Sequence, residues 1–191
     1  IMASLTNGAT FSDNNMIKAV ARMSQGLAVG YLALNFDRVW LSDETGPLNG
    51  GQPVSYKDAV TFALAKFDDA IAVANANSFT VPATFFGGKS MSNVELAKLI
   101  NSFASRVLVG SVRNSTQRDA LDWTKVLNYS NKGLTSDFTI PGDGWNDWVS
   151  EWPLYGFFPG WGRVDMRVIN LMDPSTISYW VSTNTVAAQS T

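Results

Sequence analysis

The residues with the most evident chemistry lie late in the chain. Trp145, Trp148, Trp152, Tyr155 and Trp161 crowd a stretch rich in Gly and Pro. An indole or phenol ring combines an apolar face with a polar edge, and sugars present axial C–H groups that stack on such faces. Trp145, Trp148 and Trp152 have helical spacing. The cluster therefore reads either as a carbohydrate-binding platform or as packing between the helices and a following layer. Interleaved with it, Asp143, Asp147 and Glu151 recur at i, i+4 and i+8, which on a helix makes one acidic face. Such a face could act as a carboxylate pair or hold a hard cation. The calcium-loop spacing is absent. A solvated face, or ion pairing with Arg163 or Arg167, is expected, and no metal site is assigned. A further charged group, Asp37, Arg38, Asp43 and Glu44 beside Trp40, reads as a solvated helix end.

The 191 residues include neither Cys nor His. This removes disulfides, thiolate nucleophiles, the commonest general base and most zinc sites. No Ser–Lys or paired-carboxylate motif takes their place, so a non-catalytic protein without a cofactor is expected. Charged residues make up only 16% and the net charge is -2, which gives no electrostatic footprint for nucleic acid. A hydrophobic share of 46% is enough for a core, and the length suits one domain. The most apolar run, residues 23–36, is too short to span a bilayer. Gly26 and Gly30 within it read as a place where soluble helices pack closely. Asn114-Ser115-Thr116 and Asn128-Tyr129-Ser130 match the N-glycosylation acceptor pattern.

The elements that must carry these residues are helical. Met16, Val20, Met23, Leu27, Tyr31 and Leu34 share one face of a long helix predicted over residues 14–41, capped by Ser12 or Asp13 and stopped by Asp43, Gly46 and Pro47. A second helix is predicted over residues 55–75, with Ser55 as N-cap. Its inner stripe is Ala59, Phe62, Ala63, Phe67, Ala70, Ile71 and Ala74, and Lys66, Asp68 and Asp69 lie towards solvent. Phe79, Val81, Phe85 and Phe86 in the following loop are expected at the core edge. A third helix over residues 92–112 opens with the capping box Ser92-Asn93-Val94-Glu95. After a polar turn at residues 114–118, a fourth starts at Asp119 or Asp122 and ends at a left-handed Gly133. Residues 1–12 read as loop or short strand, and residues 164–172 as a short helix or a strand. The predicted architecture is a single, mainly α domain over residues 1–191. It has tetratricopeptide-like helical hairpins at 13–138, with about four main helices, and an irregular aromatic-rich segment at 139–191.

Four stretches together resemble the SusD/RagB family of outer-membrane nutrient-binding lipoproteins. Residues 22–44 are similar to a family helix that ends in an aromatic residue, a basic residue and a turn. Residues 55–74 resemble its Y-x-x-V…A-x-x-x-L-D-x-A-I helix, with Phe67, Asp68, Ala70 and Ile71 in the telling places. Ala104, Arg106 and Val107 stand like its A-A-R-V helix. Residues 122–138 resemble its W-x-x-V…A-x-x-G-I-x-x-D-F segment, and Gly142-Asp143-Gly144 and residues 161–167 fit an environmental branch. The resemblance covers roughly residues 17–174. It implies helical hairpins bearing a more irregular ligand-binding part. The implied work is capture of glycans or other oligomeric nutrients at the outer surface of the bacterial outer membrane, with docking to a SusC-like TonB-dependent transporter. The chain is shorter than a full member and lacks a lipobox cysteine, so a fragment or a minimal relative is expected. The rival expectation is a structural subunit. Residues 1–12 and 175–191 are uncharged and strand-capable, and could join copies head to tail in an extracellular fibre.

Overall fold

The computed structural model describes residues 1–140 and 166–175. The chain divides into two compact units, Ile1–Pro141 and Gly142–Thr191. The described residues are mainly α. In the first unit a short helix α1 (Met2–Thr6) precedes the long helices α2 (Asn14–Asn35), α3 (Tyr56–Ala76) and α4 (Asn93–Gly110). The short helices α5 (Ser115–Asp119) and α6 (Trp123–Asn131) follow. Antiparallel two-residue strand pairs close the connections. β1 (Arg38–Val39) pairs with β4 (Val54–Ser55), β2 (Ser42–Asp43) with β3 (Gly46–Pro47), and β5 (Thr80–Val81) with β6 (Met91–Ser92). In the second unit the described element is the helix α7 (Met166–Met172). Among the described residues no helix is long and apolar enough to cross a membrane.

Helix α2 packs against α3, α3 against α4, and α4 against α6, which makes successive helical hairpins around one core. The face of α2 that meets α3 and α4 is closed by absent side chains. A Cβ on Gly26 would stand 2.7 Å from the Phe67 ring, and one on Gly30 would stand 3.0 Å from Val107 Cγ2. The inward face of α2 therefore differs from the expected stripe. Ala19, Gly26, Gly30 and Ala33 are buried with Met16 and Met23, whereas Tyr31 is exposed and Leu34 only half-buried. Small residues let the helix axes approach, and the larger side chains rotate to the flanks.

Helix α2 also ends six residues earlier than predicted. Phe36 is extended, and the chain turns so that Val39 and Leu41 enter the core and Val39 pairs with Val54. β-branched Val39 suits that ladder better than a helical turn. At about 1.5 Å per residue the helix is roughly 33 Å long. Its free end carbonyls find partners, because Arg113 Nη2 donates to Ala33 O at 3.3 Å and to Phe36 O at 3.1 Å.

Local start signals hold. Asp13, Ser55 and Ser92 cap α2, α3 and α4, and the Ser92–Glu95 capping box closes in both directions. Residues 2–6 are helical rather than loop or strand, and Ser115–Asp119 is a short helix rather than a turn. Helix α6 begins after Asp122. Gly133 is not left-handed, and its need is steric. A Cβ there would meet Ser102 Oγ at 2.7 Å, and that hydroxyl accepts from Leu134 N. Of the loop aromatics, Phe79 is buried and Phe86 packs on the core, but Phe85 is exposed.

Candidate functional site

Trp145, Trp148, Trp152, Tyr155 and Trp161 lie outside the described residues, as do Asp143, Asp147, Glu151 and Arg163. The polar side chains of the first unit gather instead in two charged clamps and one cleft.

The group at Asp43 and Glu44 is not a solvated helix end. Arg22 on α2 grips Glu44 with both arms, Nη2 to Oε1 at 2.7 Å and Nη1 to Oε2 at 3.0 Å. Gln25 Nε2 adds a 3.2 Å bond to the same carboxylate. These bonds, led by Arg22, hold the Glu44 carboxyl down at about pKa 2. Lys66, expected in solvent, is buried on α3, 3.3 Å from Asp43 Oδ2 and over the Phe62 ring. Asp43 in turn accepts from the Thr45 hydroxyl and amide, which keeps its carboxyl below the usual range. The clamp thus ties the β2–β3 turn to the α2–α3 hairpin. Arg22 Nε is buried without a hydrogen bond and lies 3.8 Å from Asp69 Oδ2.

A second clamp sits at the other end of α2. Arg113 pairs with Asp37 and stacks 3.7 Å from the centre of the Tyr56 ring. The Tyr56 hydroxyl and the Arg113 backbone N–H both donate to Gln117 Oε1, each at 3.0 Å. Ends of α2, α3, α4 and α5 are joined there. Both clamps are structural, because each charge in them is spent on a protein partner.

The cleft is different. It runs over α4 between α3 and α6 and is an open cleft of about 260 Å³. Helix α3 lines it with Asp68, Ile71 and Asn75, at i, i+3 and i+7 on one face. From α6 come Lys125, Asn128 and Tyr129, with Lys132 just after the helix. One bond spans the gap, from the Tyr129 hydroxyl to Asp68 Oδ1 at 2.7 Å. Burial and that carboxylate push the Tyr129 phenol up, so it stays protonated and keeps donating.

The cleft also reaches Asn101 of α4, which is only 4% exposed. Its Nδ2 donates to Ala97 O at 2.8 Å, while Oδ1 accepts no bond and is not sealed from solvent. Oδ1 is therefore an acceptor available at the cleft, to water or to a ligand donor. Nothing in the sequence reading picked out this cleft. The available signal was Asn101 itself, a polar residue on the same face as the buried Ala97, Ala104 and Leu108. Among the described residues no group of three or more acidic side chains could hold a metal ion.

Comparison with protein-family models, with curated proteins and with solved structures gives no match for this chain.

Proposed function

We propose that the chain is a non-catalytic cell-surface binding protein of SusD/RagB type. It captures glycans or other oligomeric nutrients for a TonB-dependent transporter of the bacterial outer membrane. One observation supports this reading most. The apolar residues of the resembling stretches coincide with the packing of the helical hairpins, whereas Asp68 and Arg106 are exposed. Phe67 and Ala70 of α3, Ala104 and Val107 of α4 and Val126 of α6 are all buried in one core. In this reading the hairpins are the scaffold and the docking part. Leu32, Phe36 and Trp40 leave apolar surface exposed around the end of α2, of the kind a protein partner covers. The ligand platform is assigned to Trp145, Trp148, Trp152, Tyr155 and Trp161.

The test is a glycan array probed with the whole chain, followed by titration of the best glycan against a variant with Trp145, Trp148 and Trp152 all changed to Ala. Retention of at least one oligosaccharide, released chemically intact and lost in the variant, is the expected result. An array with no retained glycan, cleavage of the retained one, or unchanged affinity in the variant contradicts the reading.

A further inference from the structure

The α3–α4–α6 cleft carries its own ligand chemistry, independent of the glycan platform in the aromatic segment. Its three amides, Asn75, Asn101 and Asn128, each combine an acceptor oxygen with an NH₂ donor. That pairing matches neighbouring hydroxyls, which also donate and accept. Asn101 is the most telling of the three, being buried, fixed through one N–H and open at Oδ1.

Charge supplies the second requirement. Lys125 and Lys132 form no ion pair with any described carboxylate. They flank Asn128 at i−3 and i+4, Lys125 on α6 and Lys132 just after its end, and both line the cleft. The cleft's own carboxylate, Asp68, is engaged by the Tyr129 hydroxyl. Two lysines against that one carboxylate leave the lining with cationic charge in excess.

Size supplies the third. A volume of about 260 Å³ falls just below the roughly 300 Å³ at which pockets for drug-sized ligands begin. It suits a single ring. We propose that this cleft binds a hydroxylated monocarboxylate of one-ring size, with the chemistry of a uronic acid. The carboxylate is met by Lys125 and Lys132, and the hydroxyls by the amides around Asn101.

The experiment is a nuclear magnetic resonance titration of the whole chain with glucuronate, with glucose and acetate as controls. Glucose has the hydroxyls without the charge, and acetate the charge without the hydroxyls. Glucuronate is expected to saturate, to move the Asn101 side-chain amide signals, and to bind at least about tenfold, or ~1.4 kcal/mol, tighter than either control. Asn101→Leu, which fills the same space without polar atoms, is expected to weaken it by about tenfold, and so is the exposed change Lys132→Gln. Lys132→Gln keeps the test decisive should the core substitution perturb folding. The proposal is overturned by any of three results: no saturable response to glucuronate, equal binding of glucose or acetate, or unchanged affinity in Lys132→Gln.

Discussion

The two sides of α3 do opposite things with the same backbone. One side meets α2 through Ala63 and Phe67, against Gly26, with no room for a single added methyl group there. The other presents Asp68, Ile71 and Asn75 to an open cleft that also reaches the Asn101 amide. Stability comes from the first side, where apolar atoms are packed at close range. The second keeps polar groups within reach of solvent, where a ligand can replace water as their partner. Adjacent residues take part in both: Phe67 is in the seam and Asp68 in the cleft.

The difference can be broken most severely at the clamp beside the seam. Arg22→Met leaves the largely shielded Glu44 carboxylate without its partner and is expected to cost about 3–4 kcal/mol in chemical denaturation. Replacing both residues with Met should recover most of that loss, because no charge is then stranded. Gly26→Val comes next, at about 3 kcal/mol, because its side chain must displace the Phe67 ring. A tolerated valine there would mean that the seam is not closely packed.

Acid provides a graded version of the same test. The Glu44 carboxyl is lowered from 4.5 to about 2 in the folded chain. Its contribution is therefore fully present above pH 4.5 and is lost as pH falls towards 2. The loss should be about 2 kcal/mol after allowing for partial solvent access, and Glu44→Gln should remove that part of the pH dependence. On the cleft side the effects shrink. Tyr129→Phe deletes the bond to Asp68 and should cost about 1 kcal/mol. Lys132→Gln, which has no described ionic partner, should change unfolding by less than about 0.5 kcal/mol. A larger cost for Lys132→Gln than for Gly26→Val would reverse the assignment of the two sides.

What could be read from the sequence follows the range of the forces involved. Helix starts were legible, since Ser55 with Asp58 and Ser92 with Glu95 act within one turn. The presence of α2, α3, α4 and α6 was legible from periodicity. The end of α2 was not, because Val39 answers to Val54 across a ladder and Arg113 supplies bonds from 77 residues away at Phe36. Lys66 looked like a solvent residue because its partner, Asp43, is 23 positions distant. The cleft escaped for the same reason. Asp68, Asn101 and Tyr129 each look ordinary on their own helix, and only packing of α3, α4 and α6 brings them together.

The most direct test of this division of labour is to map glucuronate-induced resonance shifts along α3 and its neighbours in the whole chain. Saturable shifts at Asp68, Asn75, Asn101, Tyr129 and Lys132, with Gly26, Ala63 and Val107 unmoved, are the predicted result. Shifts spread equally over the seam, or absent from the cleft, would contradict the claim that one side of α3 holds the fold and the other holds a ligand.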